Sequence, residues 1–213
     1  MKKVVILWSG GLDSTCLVLW ALKNNNMVFP LFLNRHQSNY KWEKKAIEDL
    51  FNSIKENYSN LKLQKYREFE IISPPKQLKK EFIDKKQKFV YFLRNSDLLI
   101  NAIRLALCKG IENIFLGNVV DDLKNSEIFP DIHPEYLKMK NNEINKALQI
   151  MHENPINIYA PFIEMNWKKK DAIKFVKNNF SKIDLQITRS CYSKKSTPCK
   201  KCKACRIREN LEI

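Results

Sequence analysis

The sequence predicts an α/β protein in which helices cover both faces of a parallel sheet. Short apolar runs rich in β-branched residues, at 4–7 and 111–116, are typical of strands buried on both faces. Between such runs, apolar residues recur at helical spacing, most clearly at 40–57 and 98–106. Because strands that alternate with helices favour parallel pairing, these two patterns together predict the class. The hydrophobic content of 44% across 213 residues is ample for its core.

A strand, a buried helix and a second strand are predicted at the start of the sequence. Residues 4–7 form the first strand, and the buried helix after it is expected to begin at Asp13 or Ser14, which are both good N-cap residues. Residues 27–33 predict a second strand, in which Pro30 indicates a sheet edge or an irregularity.

Further elements follow along the chain. An amphipathic helix at 40–57 leads to a third strand, indicated by apolar residues within 69–72. The charged residues 76–88 predict a mobile surface segment. A strong helix then begins at Asn95 or Ser96 as its cap and ends at Gly110. The remaining predicted elements are a strand at 111–116, a strand at 156–162 and a helix at 168–178.

The turn between the first strand and the first helix, residues 9–14, reads SGGLDS. Two glycines let the backbone approach a ligand closely, and a helix N-terminus presents free N–H groups and a positive dipole end. The turn therefore predicts an anion site, although it is neither a Walker A loop nor GxGxxG. An ordinary βα turn is the alternative. The six residues resemble the SGGxDS pyrophosphate loop of the ATP-pyrophosphatase superfamily, whose members cleave ATP between the α- and β-phosphates.

Polar residues also follow two other predicted strands, at 34–37 and at 117–122. In a parallel α/β sheet, ligands bind beyond the carboxyl ends of the strands. We therefore expect these two segments and the 9–14 turn to lie on one rim of the sheet.

The C-terminal stretch CYSKKSTPCKKCKAC holds four of the six cysteines, Cys191, Cys199, Cys202 and Cys205. Thiolates two residues apart on a tight turn, with a fourth ligand from upstream, are typical of a structural zinc site. Disulfides, an iron–sulfur cluster and redox catalysis are the alternatives. We expect zinc, with the surrounding lysines offsetting the negative charge of the thiolates. Cys16 and Cys108 lie in apolar helical contexts and are interpreted as core residues.

The formal net charge of +15 raises the question of nucleic-acid binding. Lysine and asparagine are spread along the whole chain, so nucleic-acid binding is kept only as the weaker interpretation. No apolar run of 18 residues interrupts the sequence, and the N-terminal stretch matches neither a signal peptide nor a membrane span. We expect a soluble cytoplasmic protein without a membrane partner.

The two ends of the chain together, SGGLDST and CYx6CxxCxxCxxR, resemble the 7-cyano-7-deazaguanine synthase family of PP-loop ATP pyrophosphatases. The resemblance implies a Rossmann-like sheet of the adenine nucleotide alpha hydrolase type, use of ATP with Mg²⁺, and a homodimer. It implies conversion of 7-carboxy-7-deazaguanine and ammonia to 7-cyano-7-deazaguanine, a queuosine or archaeosine precursor, through adenylated intermediates. The predicted domains are an ATP-binding α/β domain at 1–180 and a zinc-binding segment at 181–213 packed on it.

Five internal segments also resemble family motifs: 34–37 with Glu43, 93–95, 115–117, 129–136 and 160–162. The departures fall where the base should bind. Ile132 and His133 stand where the family has cysteine and arginine, and Leu93 replaces a glycine. A histidine cannot supply the bidentate contacts of an arginine.

The resemblance implies roles for individual residues. The expected ATP contacts are Leu7, Trp8, Ser9, Gly10, Gly11, Leu12, Asp13, Ser14 and Thr15. Catalysis is assigned to Asp13 through Mg²⁺, to Ser14 on phosphate oxygens and to Arg94 on nucleotide or carboxylate charge. The substrate-binding candidates are Arg35, His36, Asn95, Asp131, His133 and Glu135. Plainer alternatives remain open, such as helix capping for Asp13 and a solvated charge for Arg94.

Two other functions compete with the synthase. The basic charge and the cysteine tail motivate the weaker alternative of a PP-loop enzyme that modifies tRNA, such as a thiolase or a lysidine synthetase. The altered 129–136 segment favours a nucleotide-binding zinc module without catalysis.

Overall fold

The structure, a computed structural model of the protein, describes residues 1–71, 92–124 and 129–213. In this part of the chain five parallel strands form one sheet in the order β3-β2-β1-β4-β5, so the α/β Rossmann-like class is confirmed. The strands are β1 Lys3–Leu7, β2 Met27–Asn34, β3 Arg67–Glu70, β4 Asn113–Phe115 and β5 Asn157–Tyr159.

Helices connect the strands. The described α-helices are α1 Leu12–Lys23, α2 Tyr40–Asn57, α3 Arg94–Lys109, α4 Val120–Leu123, α5 Pro134–Ile150, α6 Pro161–Glu164, α7 Lys169–Asn179 and α8 Lys203–Asn210. Two short 3-10 helices lie at Pro130–Ile132 and Leu185–Ile187. None of the helices described in these ranges has the length and apolar character needed to cross a lipid bilayer.

The sheet separates two apolar cores. Helices α1, α2 and α7 pack on one face, while α3 and α5 pack on the other. The central strand β1 contributes side chains to both cores, because Val4 and Ile6 point into the first core and Val5 points into the second. All three side chains are fully buried. This explains why 4–7 reads as a continuous apolar run.

Pro30 does not mark a sheet edge, because β2 lies between β1 and β3. The predicted irregularity is confirmed. Val28 forms an isolated bridge with Leu63, and regular pairing with β3 begins only at Leu31, opposite Arg67. The backbone N–H groups of alternate residues in a strand point towards the same neighbouring strand, so the backbone of Pro30 points towards the β3 side of β2, as that of Val28 does. Its missing N–H therefore falls in the gap between these two pairings.

Both predicted helix starts are wrong. Helix α1 begins at Leu12 with Gly11 as its N-cap, so Asp13 and Ser14 lie inside the first turn. Helix α3 begins at Arg94 after Leu93, which adopts a left-handed conformation, so neither Asn95 nor Ser96 is its cap. The predicted end of α3 at Gly110 is confirmed, with φ of +58°.

Other differences are smaller. Helix α2 has the predicted bounds, whereas β4 and β5 are shorter than the runs at 111–116 and 156–162. Helices α4, α5, α6 and α8 were not predicted, and residues 161–162 of the run predicted as a strand lie in α6. The prediction for 76–88 lies outside the described residues. Cys16 is buried as expected, but Cys108 is exposed near the end of α3, so its interpretation as a core residue is wrong.

The order of the strands places the predicted polar segments together. Strands β2, β1 and β4 are parallel neighbours, so 34–37, 9–14 and 117–122 follow them at one rim of the sheet, as predicted. Helices α3 and α5 each run back to the start of the next strand. Their N-termini therefore lie at the same rim.

Candidate functional site

The 9–14 turn leaves β1 from a firmly held residue. Trp8 is 1% exposed; its backbone N–H donates to the Leu31 carbonyl at 2.8 Å, and its indole Nε1–H donates to the Thr15 hydroxyl at 3.0 Å. Thr15 is itself fully buried in α1. The strand, the turn and the first turn of α1 are thus tied together below the site.

Glycine is required at position 10. Gly10 has φ of +69°, and a Cβ there would lie 2.8 Å from the Glu43 carbonyl oxygen and 3.1 Å from Cγ1 of Ile47. The backbone of Gly117, which follows β4, also packs closely against the first turn of α1, since a Cβ on Gly117 would lie 3.3 Å from Cα of Ser14. The turn is therefore enclosed by α2 on one side and by the end of β4 on another.

Two hydroxyls meet over the turn. The Oγ atoms of Ser9 and Ser14 lie 3.2 Å apart, Ser14 Oγ donates to the Gly11 carbonyl at 3.2 Å, and the Gly11 N–H donates to Ser9 Oγ at 3.3 Å. The N-cap residue Gly11 has no side chain that could cap the first-turn amides of α1. Hydroxyls and amide N–H groups converging on a helix N-terminus can bind an anion such as phosphate.

Asp13 lies beside a lysine that the sequence reasoning missed. Lys169 Nζ contacts a carboxylate oxygen of Asp13 and lies 3.4 Å from Oδ1 of Asp122. Burial raises the pKa of Asp13, although Lys169 lowers it. Burial lowers the pKa of Lys169, but the carboxylates of Asp13 and Asp122 outweigh this effect and raise it. The site therefore pairs a basic group with two acidic ones at the start of α1.

A buried carboxylate on α2, that of Glu43, holds the segment that follows β2. Glu43 accepts hydrogen bonds from Gln37 Nε2 at 2.7 Å and from Asn39 Nδ2 at 2.9 Å. Burial raises its pKa, while Gln37, Arg35 and Arg189 are among the groups that lower it. Arg35 therefore lies near Glu43, in the segment that follows β2.

His36 points elsewhere. It has φ of +55°, and its Nε2 lies 2.8 Å from Oε1 of Glu70, with both side chains at least half exposed.

At the start of α3, Asp131 acts as a cap from a distant part of the chain. Asp131 is 3% exposed; its Oδ1 accepts from Asn95 Nδ2 and its Oδ2 accepts from the Ser96 backbone N–H, both at 2.9 Å. Arg94 donates to Oδ1 of Asn95 at 3.1 Å, and its guanidinium carbon lies 5.0 Å from the centre of the Phe129 ring. Arg94, Asn95 and Asp131 thus form one connected group.

His133 and Glu135 lie just beyond this group, at the start of α5. His133 Nδ1 is 3.9 Å from Oε2 of Glu135, and the Glu135 side chain is 89% exposed. These two side chains lie on the rim and face solvent more than Asp131 does. Their roles in binding a substrate stay predictions.

The four C-terminal cysteines lie together as predicted. Their sulfur atoms all lie within 4.8 Å of one another, with separations of 3.5 Å for Cys202–Cys205 and 4.0 Å for both Cys199–Cys205 and Cys191–Cys202. Four sulfurs bound at 2.3 Å around one ion would lie about 3.8 Å apart. A four-iron cluster holds its cysteines on different iron atoms and so needs a wider spacing. The donor set therefore fits a single tetrahedral metal ion.

Backbone groups contribute to the same cluster. The N–H groups of Ser193 and Cys199 donate to Cys191 Sγ at 3.4 and 3.3 Å. The backbone N–H groups of Lys201 and Cys202 lower the pKa of the Cys199 thiol to about 6. Such N–H donors favour the thiolate form that binds a metal.

The cysteine segment contacts the residues that support the turn. The Arg189 backbone N–H donates to the Gly10 carbonyl at 2.7 Å, and Asn39 Nδ2 donates to the Cys191 carbonyl at 3.1 Å. Sequence reasoning missed Arg189 because no local pattern distinguishes it from the other basic residues. The division of the chain at residue 180 stays a prediction.

Comparison with known proteins agrees with these motifs. A family model described as queuosine biosynthesis protein QueC matches residues 3–211. A 7-cyano-7-deazaguanine synthase of Prochlorococcus marinus (strain MIT 9215) is 28% identical over 212 residues, covering 98% of this chain and 92% of that protein. A protein of the same name from Nautilia profundicola is 30% identical over 218 aligned residues, with coverage of 98% and 92%.

Among solved structures, the U34-tRNA thiolase NcsA from Methanococcus maripaludis with its [4Fe-4S] cluster is similar with a TM-score of 0.47 and 13% identity. The match covers 99% of this chain and 66% of that one, and it is too weak to establish a shared fold. The family match, by contrast, spans nearly the whole sequence and includes both the 9–14 turn and the cysteine cluster. The chain belongs to the queuosine biosynthesis protein QueC family.

Proposed function

We propose that the chain is an ATP-dependent 7-cyano-7-deazaguanine synthase, which converts 7-carboxy-7-deazaguanine and ammonia to the nitrile and releases AMP and pyrophosphate. The observation that carries the proposal is the SGGLDS turn at the N-terminus of α1, in a chain whose family match covers residues 3–211. The name shared by these relatives, 7-cyano-7-deazaguanine synthase, supports the product. The adenylating chemistry is supported by the geometry of the turn.

The first proposed step gives the substrate carboxylate a leaving group. A carboxylate oxygen attacks the α-phosphorus of ATP, the bond from that phosphorus to the bridging oxygen breaks, and pyrophosphate leaves. Charge that develops on the phosphate oxygens would be stabilised by the first-turn amides of α1 and by the hydroxyls of Ser9 and Ser14. The Gly11 N–H would exchange its present bond to Ser9 Oγ for a bond to a phosphate oxygen.

The later steps use the same site. Ammonia adds to the acyl carbon, AMP leaves and a proton is released, which gives the amide. The amide oxygen then attacks the α-phosphorus of a second ATP and displaces pyrophosphate. Loss of AMP, with two protons from the nitrogen, leaves the nitrile. Because both adenylations place the α-phosphate at the same point, one phosphate site is sufficient.

The base is proposed to bind at the rim near the start of α3. Asp131 holds the Asn95 side chain and the Ser96 amide, so the Asn95 carboxamide is presented in a fixed orientation. Arg94 supplies positive charge next to it. In this proposal the Asn95 carboxamide, held by the buried Asp131, contacts the guanine-like edge, while Arg35 borders the site from the segment after β2.

Two metal ions belong to the proposal. Zinc at Cys191, Cys199, Cys202 and Cys205 would hold the C-terminal segment together as a structural ion. Mg²⁺ at Asp13 would neutralise phosphate charge when ATP is bound. The homodimer stays a prediction from the family resemblance.

The proposal is tested by incubating the protein with ATP, Mg²⁺, ammonium and 7-carboxy-7-deazaguanine and measuring the products by mass spectrometry. We expect the nitrile and AMP to form together, and neither to form when the acid is omitted. Asp13→Ala should abolish both products, while Asp49→Ala, which removes only a surface ion pair with Lys45, should not. AMP that forms only when tRNA is added would support a tRNA-modifying enzyme instead. Nucleotide binding without any turnover would support a module without catalysis.

A further inference from the structure

The backbone of Gly10 is held by a residue from the C-terminal segment. The Gly10 carbonyl accepts the Arg189 backbone N–H at 2.7 Å. The carbonyl of Gly10 and the N–H of Gly11 belong to one planar trans peptide unit, so they point in opposite directions. Fixing the carbonyl on Arg189 therefore fixes the direction of the Gly11 N–H, one of the amides assigned to the phosphate.

The position of Arg189 is in turn set by the loop between the first two cysteines. Its side chain is buried, with Nη1 donating to the Ser196 carbonyl at 2.8 Å and Nη2 donating to the carbonyls of Ser193 at 3.0 Å and Lys195 at 2.8 Å. These carbonyls belong to the segment that joins Cys191 to Cys199. Only a guanidinium presents several donors in one rigid plane to meet three carbonyls at once.

A second set of contacts connects the same two places. Asn39 Nδ2 donates both to the Cys191 carbonyl at 3.1 Å and to Oε1 of Glu43 at 2.9 Å. The Glu43 carbonyl oxygen is the atom that excludes a Cβ at Gly10. A shift of the Cys191 backbone would therefore also be transmitted to Gly10 through Asn39 and Glu43.

We propose that Arg189 is a positioning residue that links occupancy of the metal site to the affinity of the nucleotide site. The proposal rests on the nucleotide role assigned to the turn. A metal ion that closes Cys191 and Cys199 around itself fixes the loop between them, and this loop holds Arg189 in place to orient Gly10 and Gly11. Linkage of this kind is reciprocal, so bound nucleotide tightens metal binding by the same factor that bound metal tightens nucleotide binding.

The test uses the zinc-loaded full chain and α,β-methylene-ATP with Mg²⁺, an analogue that cannot be cleaved between the α- and β-phosphates. Zinc affinity is measured by competition with a chromogenic chelator, with and without saturating analogue. Analogue affinity is measured by calorimetry before and after zinc removal. We expect both affinities to change by roughly fivefold to twentyfold, and by equal factors.

Arg189→Met keeps an unbranched side chain but removes the three donated hydrogen bonds. We expect the analogue to change zinc affinity in this variant by a much smaller factor than in the unmodified chain, because only the contacts through Asn39 and Glu43 still connect the two sites. Arg104→Met makes the same exchange on the exposed side of α3 and should keep the full linkage of the unmodified chain.

Two results would overturn the proposal. The first is that bound analogue does not change the zinc affinity of the unmodified chain. This measurement does not depend on the folding of any variant. The second is full linkage in Arg189→Met. Calorimetry separates these from a failure of the proposed function, since a zinc-loaded chain that binds no analogue overturns both.

Discussion

The ammonium group of Lys169, at the N-terminus of α7, contacts the carboxylate of Asp13 at the N-terminus of α1. The two residues are far apart in sequence, yet the Lys169 side chain is only 14% exposed and Asp13 is 33% exposed. The proposed Mg²⁺ ligand is therefore already paired with a cation before any nucleotide binds. Binding of magnesium at Asp13 would have to compete with Lys169 or move it towards the phosphates.

Removing this cation should affect Asp13 first. In Lys169→Met we expect the pKa of Asp13 to rise further, since burial already raises it and Lys169 is the main group that lowers it. A double-mutant cycle with Asp13→Asn, measured by urea unfolding, should give a coupling of about 1 kcal/mol, because the pair is partly exposed. A coupling near zero would show that the contact does not stabilise the fold.

The same pair predicts a dependence of stability on pH. The pKa of Lys169 in the folded chain lies above its usual 10.5, because the attraction of Asp13 and Asp122 exceeds the effect of burial. Its stabilising contribution is therefore fully present below pH 10.5 and is lost as the pH rises through the raised value. The difference in free energy of unfolding between the parent and Lys169→Met should be constant from neutral pH to about pH 10.5 and should then shrink as the pH passes the raised pKa of Lys169. Lys170→Met, at the exposed neighbouring position, should show no such dependence.

Two glycines with positive φ provide a matched comparison. Gly10→Ala combines a left-handed backbone with a Cβ placed 2.8 Å from a backbone oxygen, whereas Gly110→Ala has open space around the added Cβ. We expect Gly110→Ala to cost about 1 kcal/mol and Gly10→Ala about 3 kcal/mol in urea unfolding. Gly10→Ala should also lose nucleotide binding in calorimetry. Equal costs for the two variants would show that α2 does not restrict the turn.

The cysteine cluster predicts one bound metal ion per chain. Serine in place of Cys191, Cys199, Cys202 or Cys205 should reduce metal content in elemental analysis and lower the melting temperature. The reason is that binding of the ion would contribute to the folding free energy of the segment. Cys108→Ser, at an exposed cysteine outside the cluster, should leave both unchanged. Visible absorbance after anaerobic purification would instead indicate iron.

The cap supplied by Asp131 predicts a local loss of order. Asp131→Ala removes the acceptors for Asn95 and the Ser96 amide, so we expect a loss of about 2 kcal/mol and faster hydrogen exchange at the start of α3. Glu135→Ala, at a side chain that is 89% exposed, should change stability by less than about 0.5 kcal/mol. Unchanged exchange in Asp131→Ala would leave Asp131 without a structural role.

The features that could be predicted from sequence are those that are encoded locally. The amphipathic pattern of 40–57 predicted the observed bounds of α2, and the glycines of SGGLDS predicted the turn between β1 and α1. The start of α3 was misplaced because its cap, Asp131, comes from a later segment that folds beside it.

Two basic residues were missed for a similar reason. Lys169 lies within a run of three lysines, and only the fold shows that it is the one facing Asp13. Arg189 is distinguished by the three carbonyls around its guanidinium, and these are brought to it by the cysteine cluster.

The hydrogen bond from Arg189 to Gly10 also bears on synthesis of the chain. Gly10 leaves the ribosome well before Arg189, which is made only after the five strands of the described sheet. A nascent chain can therefore form β1 and α1 while the Gly10 carbonyl still lacks this donor. With the function proposed above, capture of ATP is expected to wait until translation has passed the cysteine segment.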